Sequence, residues 1–418
     1  MASLRRTLVS LYVIQAANFA VPLLTQPWLT RALGVDGYGR LNFALAVVAY
    51  FVLLADYGFN LSATRQIAVQ RDDKAARSRT FWATLGVKAL LAFVGGVMLL
   101  VLVALSSTLG EISGLLALGY LAVIGSVLTP TWYFQGVERA DFAALATLLP
   151  KALAIPLIVA GVRGPADLPA AMLLTAAPGL LSGLWCLAEL ARSRAVAMQR
   201  PALADLRAAL ADGWHVFVST AAISLYTTSN TVLLGWLSGT AAVGHFAAAD
   251  KLLKAAQAAT APVSQALFPR VSHLMHHDRA AALGTLRRLL KWQGAFTFAV
   301  SVGLFVLAPV LVRLLFGEAF EAAVEVVRWM APLPCLIGLS NVFGIQTLLP
   351  LGREKLFSRI LLVSGVVNLG LLALLAPVYG APGAAVAVTV TEAGVTALMG
   401  WAVRAHFAHR APVDAARP

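Results

Sequence analysis

The sequence predicts an all-α polytopic membrane protein, with twelve transmembrane helices arranged as two parallel-repeat six-helix lobes around a central cavity. Three observations predict it: an apolar, charge-poor composition, a one-sided distribution of basic residues, and a self-match at a constant offset. Of 418 residues, 60% are hydrophobic and only 12% are charged, against roughly 25% charged in an ordinary soluble domain. A soluble protein of this size would still need a polar surface. The composition therefore excludes a cytosolic enzyme, a disordered chain and a disulfide scaffold. The formal net charge of +13 would suggest a nucleic-acid partner in a soluble protein. In so apolar a chain it records topology and an anionic bilayer surface instead, so the expected partner is the lipid bilayer and not nucleic acid. Cys186 and Cys335 lie in apolar runs and read as packing residues.

A helix needs about 20 mainly apolar residues to cross the hydrocarbon core. Twelve stretches meet this, near 8–30, 41–62, 80–106, 113–135, 142–162, 170–190, 213–237, 244–267, 291–316, 326–349, 359–378 and 382–403. Backbone polar groups in lipid must be satisfied within their segment, which selects helices for spans so closely spaced. The first stretch follows Met1-Ala2-Ser3-Leu4-Arg5-Arg6 without a small-residue cleavage site, and reads as a span rather than a signal peptide. It carries Gln15, Asn18 and Gln26, and its prolines Pro22 and Pro27 are expected to break it. The second ends in Asp56-Tyr57-Gly58-Phe59-Asn60, where glycine loosens the helix while Asp56 and Asn60 share a face. Lys88 falls in the third, Gln135 in the fourth and Asn230 in the seventh; Arg328, Asn341 and Gln346 fall in the tenth.

The eighth stretch holds Asp250, Lys251 and Lys254. Positions 250 and 254 share a helix face and can pair. Lys251 is turned about 100° away and is free to line a cavity. The alternative is a later helix start, with the cluster snorkelling at the outer interface. Glu392 in the twelfth stretch reads as a packed carboxyl, with a proton relay as the alternative. A charge at the bilayer centre costs about 2.5–3.5 kcal/mol on insertion scales, which makes each such residue a functional candidate.

With a cytoplasmic N-terminus, 24 of the 32 basic residues fall on inside segments, among them Arg65, Arg79, Arg139, Lys151, Arg192 and Arg353. Only Arg31, Arg40, Arg163 and Arg313 fall outside. This positive-inside bias supports the span count and puts both termini in the cytoplasm. The outer loops are short, leaving little room for a catalytic site on that face. No Walker-type phosphate loop and no nucleophile–base constellation is present. His273, His276 and His277 lack carboxylate or thiol companions for a metal. The chain reads as a non-enzyme without cofactor or metal.

A shift of 205 residues places Gly34 and Gly39 on Gly239 and Gly244, Arg65 on Arg270, and Asp73-Lys74-Ala75-Ala76 on Asp278-Arg279-Ala280-Ala281. Six spans per half is an even number, so both halves enter from the same side. The expected lobes are residues 1–200 and 201–418, parallel repeats of a transporter design with substrate bound near mid-membrane.

Several strings resemble Wzx-type O-antigen and polysaccharide flippases of the multidrug/oligosaccharidyl-lipid/polysaccharide exporter superfamily. They are Gln15-x-x-Asn18-x-x-x-Pro22-Leu23, Arg31-Ala32-Leu33-Gly34-x-x-x-Tyr38-Gly39, and Asp56-Tyr57-Gly58-Phe59-Asn60-Leu61-Ser62-Ala63-Thr64-Arg65. Trp132-Tyr133-Phe134-Gln135-Gly136, Ala248-Ala249-Asp250-Lys251-Leu252 and Asn341-Val342-Phe343-Gly344-Ile345-Gln346 extend the likeness through the chain. The resemblance implies two six-helix lobes enclosing a cationic cavity in the bacterial inner membrane. It implies a substrate of undecaprenyl-pyrophosphate-linked oligosaccharide, and polysaccharide polymerase and chain-length machinery as neighbours. By position, the candidates to hold the pyrophosphate are Arg31, Arg65, Lys88, Lys251, Lys254 and Arg328. Gln15, Asn18, Asp56, Asn60, Gln135, Asp250, Asn341 and Gln346 are the polar or coupling candidates. A multidrug cation antiporter of the same fold is the nearest rival, but would need an acidic pocket. A membrane glycan polymerase or ligase would need larger outer loops.

Overall fold

The computed structural model describes residues 2–258, 267–268, 271–275 and 277–408. Side chains are described from Leu24 onward, apart from positions 222–223, 225–226, 258, 279 and 408. Arg270 and His276 therefore lie outside the described residues, as do the side chains of Gln15, Asn18, Pro22 and Arg279. The helices are α1 (Ala2–Asp56), α2 (Phe59–Val69), α3 (Lys74–Leu105), α4 (Ser107–Glu111), α5 (Ser113–Leu128), α6 (Thr131–Gly136) and α7 (Ala140–Gly161). They continue with α8 (Leu168–Arg192), α9 (Leu203–Thr227), α10 (Ser229–Ala258), α11 (Arg279–Phe316), α12 (Ala323–Met330), α13 (Leu333–Phe343) and α14 (Glu354–Ala408). No strand occurs among the described residues. Nine helical stretches among them are long and apolar enough to cross a membrane.

Two of those stretches, Leu24–Val69 and Glu354–Phe407, are longer than one crossing because each contains a reversal. At Gly34 the backbone takes φ 68° and ψ −177°, a region open to glycine and costly for any residue with a Cβ. Across it the Tyr38 hydroxyl donates to Gln26 Oε1, twelve residues away; a straight helix would hold the two about 18 Å apart. At Gly380 (φ 59°, ψ −133°) the chain turns again, and Thr391 Oγ1 donates to Asn368 Oδ1 at 3.4 Å. Pro22 and Pro27, expected to break the first span, do not: α1 is helical through both, and its first non-helical residue is Gly34. Membrane helices tolerate proline where neighbouring groups re-satisfy the freed carbonyls.

The 205-residue offset reappears as geometry. Gly239 bends α10 with φ 81° and ψ 175°, in the same backbone region as Gly34 once the wrap of ψ at 180° is counted. The Asp73 carboxylate caps α3 by accepting the Ala76 N–H at 3.0 Å, and Asp278 caps α11 through the Ala281 N–H at 2.9 Å.

Contacts divide the chain into two compact units, residues 1–232 and 233–418. The division lies inside α10, beyond the boundary near 200 expected from the repeat. The reason is local to the first unit. Helix α9 packs directly on the break in the second span: a Cβ on Gly213 would lie 2.8 Å from the Tyr57 ring, and one on Gly58 would lie 2.7 Å from Val216. Farther along, Tyr50 Oη and Ser229 Oγ share a hydrogen bond of 2.6 Å. The connection before α9 is itself strapped to this unit. Ala197 donates its N–H to Ser78 Oγ at 2.8 Å and accepts from Trp82 Nε1 at 2.9 Å. Arg77 and Tyr133 both donate to the Ala195 carbonyl.

Packing within each unit relies on small residues, since lipid offers no hydrophobic incentive for helices to associate. In the first unit α5 crosses α8 at Gly125 and Gly179, where a Cβ on Gly125 would sit 2.6 Å from the Gly179 carbonyl carbon. Thr129 Oγ1 donates to the Gly179 carbonyl at 3.1 Å on the same seam. In the second unit Gly338 of α13 fits against Thr297 of α11, and Gln293 Nε2 donates to the Gly338 carbonyl at 3.2 Å. The outer surface is apolar in stripes: Leu90, Phe93, Val97, Leu100 and Val101 of α3 are all exposed, at helical spacing suited to lipid.

The seam carries a prediction. Gly125→Ala forces backbone against backbone at α8 and should lower the thermal unfolding midpoint in detergent by roughly 5 °C. Gly114→Ala in the same helix, where an added Cβ meets nothing within 4 Å, should leave the midpoint unchanged. Equal midpoints for the two variants would contradict the seam.

Candidate functional site

The centre of the first unit is built where two helices break. Tyr57 (φ 42°) and Gly58 (φ 77°) take left-handed backbone and end α1 at Asp56. Opposite, α5 stops before Pro130. Proline has no N–H, so the carbonyl four residues earlier loses its helical donor; here that carbonyl belongs to Ser126. Lys88, well inside α3, answers both breaks. Its ammonium lies 2.8 Å from Asp56 Oδ1 and 2.8 Å from the Ser126 carbonyl. The Lys88 side chain is 2% exposed and that of Asp56 is 28% exposed. Lys88 is an internal tie joining α1, α3 and α5, and it presents almost no surface to a ligand.

Below the tie, towards the α2–α3 turn, Phe81, Trp82, Trp132, Tyr133, Phe134 and Phe142 form a continuous aromatic cluster with Trp185. The Trp132-Tyr133-Phe134 string is thus core. Gly136 is required there, since a Cβ would lie 2.6 Å from Ile67. Gln135 and Asn60 are exposed beside it, and Asn60 Oδ1 accepts from Thr131 Oγ1 at 3.5 Å. Arg65 is exposed on α2 and has no ion-pair partner among the described residues. Arg31 is exposed on α1 just before the Gly34 reversal. Arginines near these helix ends form ion pairs at the surface, Arg71 with Glu138 at 2.7 Å and Arg139 with the half-buried Glu189 at 3.0 Å. Such pairs contribute about 0–1 kcal/mol each.

Lys151 corrects the sequence-based count. The charge distribution assigns it to an inside segment, yet it lies eleven residues into α7, about 16 Å along the helix. It is half-buried, on the side opposite the exposed row Leu145, Leu149, Leu153 and Leu157. The signal was available, because the expected span 142–162 already contained it.

In the second unit, Asp250 and Lys254 form the expected one-turn pair, Oδ2 to Nζ 2.6 Å. Lys251 is half-buried on another face of α10. Arg328 lies within the tenth span, Ala323–Leu348, in its second helical turn. Helix α12 begins only at Ala323, and the exposed guanidinium stacks 5.6 Å from the centre of the Phe305 ring on an outward apolar surface. Asn341 is half-buried in α13, and Gln346 is fully buried in the π-helical turn Gly344–Leu348 that follows. That turn is held by Thr347 Oγ1 donating to the Val342 carbonyl at 2.8 Å. Glu392 and Asn230 are buried.

A family model described as polysaccharide biosynthesis protein matches residues 4–275. The chain belongs to that family. The matched stretch takes in Asp56, Lys88, Lys151, Asp250, Lys251 and Lys254, and stops short of Arg328. A provisionally named O-antigen transporter of Escherichia coli K12 is 34% identical over 397 residues, covering 95% of this chain and 96% of that one. Among solved structures, an inward-facing multidrug resistance MATE family transporter of the MOP superfamily superposes with a TM-score of 0.73 at 14% identity, over 94% of this chain and 95% of that one. The lipid II flippase MurJ, in an inward closed conformation, superposes with a TM-score of 0.73 at 11% identity, over 95% of this chain and 87% of that one. This member of the polysaccharide biosynthesis family therefore has the fold of those membrane transporters.

The tie predicts an asymmetric mutational pattern. Asp56→Asn leaves a buried ammonium without its counter-charge and should cost about 3–5 kcal/mol. Lys88→Met leaves a partly exposed carboxylate and should cost less. The double variant should be more stable than Asp56→Asn alone. Unfolding midpoints in detergent for the three proteins check the order, and a double variant that is the least stable of them would refute the pairing.

Proposed function

We propose that the protein is a flippase of the bacterial inner membrane, with both termini cytoplasmic. It moves undecaprenyl-pyrophosphate-linked oligosaccharide from the cytoplasmic to the periplasmic leaflet by alternating access of two repeated halves. The observation that carries this reading is the 34% identity to the provisionally named O-antigen transporter along nearly the whole of both chains.

The charges inside the spans support it. Asp56 neutralises Lys88, and Asp250 neutralises Lys254. Counted together, the basic residues of the spans, Lys88, Lys151, Lys251, Lys254 and Arg328, outnumber the acidic residues Asp56, Asp250 and Glu392. That balance suits an anionic head group. A cation antiporter, the reading favoured by the likeness to a multidrug transporter fold, would need the opposite sign. A pyrophosphate diester carries about two negative charges, which require cationic donors in a site of low dielectric. We assign contacts with it along its path to Arg31 and Arg65 in the first unit and to Lys251 and Lys254 in the second. Lys88 acts by holding the broken helices that position the rest. Polymerase and chain-length proteins are the partners this role would bring close.

With the cytoplasm negative, outward movement of the head group is favoured by about 2.3 kcal/mol per charge per 100 mV. Flipping of lipid-linked oligosaccharide in proteoliposomes should therefore slow when the potential is reversed, with proton and sodium gradients clamped. Lys251→Gln and Arg65→Gln should each reduce the rate about tenfold, the loss of one charge-assisted contact, with unchanged unfolding midpoints. In cells, a deletion strain should accumulate lipid-linked repeat units on the cytoplasmic leaflet. Export that continues in that strain, with no second transporter present, would overturn the assignment.

A further inference from the structure

One feature of the first unit is used neither by the tie nor by the basic residues assigned to pyrophosphate. At the end of the unit that carries the α2–α3 turn, helices α2, α3 and α9 leave a cleft of about 300 Å³, lined by Gln66, Gln70, Arg79, Thr80 and Asp205 over alanines. Its size lies at the lower end of small-molecule sites, roughly 300–1,000 Å³. The side chains are held in place by one another. Thr80 Oγ1 donates to Gln70 Oε1 at 2.8 Å, Gln66 Nε2 donates to Asp212, and Asp205 accepts the Ala202 N–H at 2.9 Å. Arg79 has no hydrogen-bond or ion-pair partner among the described residues. Alanine at four lining positions, Ala76, Ala83, Ala208 and Ala209, keeps the space open; larger residues there would close it.

The chemistry of the lining selects a ligand. One guanidinium and one carboxylate cancel, so the cleft has no net charge to offer a dianion, and a pyrophosphate would meet the Asp205 carboxylate. Two carboxamides, a hydroxyl, a carboxylate and a guanidinium instead supply both donors and acceptors at close spacing. That set matches the vicinal hydroxyls of a sugar ring, each of which donates and accepts. We infer that this cleft binds the first sugar residues of the substrate's head group, separately from the cations that hold its pyrophosphate. The inference rests on the flippase reading above. It also assigns sugar selectivity to α2, α3 and α9 of the first unit, not to the lysines of α10.

The test uses the full chain in nanodiscs and two probes. One is the repeat-unit oligosaccharide freed from lipid and prepared from the source bacterium's own surface polysaccharide; the other is inorganic pyrophosphate. Saturation-transfer NMR should detect the oligosaccharide bound to the wild-type protein. Ala208→Phe, which fills the cleft from its exposed rim, and Arg79→Gln should each weaken that binding about tenfold, with unfolding midpoints unchanged. Pyrophosphate should not displace the sugar. Displacement by pyrophosphate, or undiminished binding to Ala208→Phe, would overturn the inference. Restoration of surface polysaccharide in a deletion strain separates the two readings. Wild-type restoration with undiminished sugar binding to Ala208→Phe removes only the cleft, whereas failure of the wild type to restore it removes the flippase reading as well.

Discussion

Water is absent from the hydrocarbon core, so every backbone group released by a broken helix needs a partner from the protein itself, and the architecture of the first unit follows from how that demand is met. Pro130 strips the Ser126 carbonyl of its donor, and the Lys88 ammonium supplies the replacement at 2.8 Å. Lys88 could not be buried there alone, and Asp56, released at the end of α1 by the Tyr57–Gly58 turn, supplies the counter-charge. Two helix breaks and one ion pair are therefore a single arrangement. Smaller breaks are met by hydroxyls: Thr129 returns to the Gly125 carbonyl at 2.7 Å, and Thr347 holds the π turn around Gln346.

Around this centre the helices approach by omission of side chains. Gly125 and Gly179 bring α5 onto α8, Gly58 and Gly213 bring α9 onto the broken span, and Gly338 brings α13 onto α11. The strap at Ala195 and Ala197, with four hydrogen bonds from α3 and the aromatic cluster, extends the first unit past the expected end of its repeat. Thus the compact unit ends at Val232, although the repeat reads as if it ended near 200.

The basic residues divide by what answers them. A few at the helix ends stand in ion pairs, which stabilise the chain little. Lys88 and Lys254 are neutralised within their own units. Lys151 and Lys251 are half-buried within their helices. A transporter for a lipid-linked anion needs few cations, provided that they are not already spent on the protein's own carboxylates.

Composition and periodicity were enough to determine the helical class, the membrane setting and the family strings, because each is a local property that lipid imposes segment by segment. The Asp250–Lys254 pair was legible for the same reason, since one helical turn fixes it. The Gly34 and Gly239 reversals and the two aspartate caps were legible as a repeat before their shapes were seen. Other features depended on tertiary contact. No spacing rule joins Lys88 to Asp56 and to a carbonyl freed 38 residues later by a proline. Nor does any rule tell a proline that a helix absorbs, as at Pro22 and Pro27, from one that ends it, as at Pro130. Whether a buried charge meets a ligand or another side chain is decided by which helix lies opposite. That depends on packing between segments distant in the chain, which the local pattern of each segment does not contain.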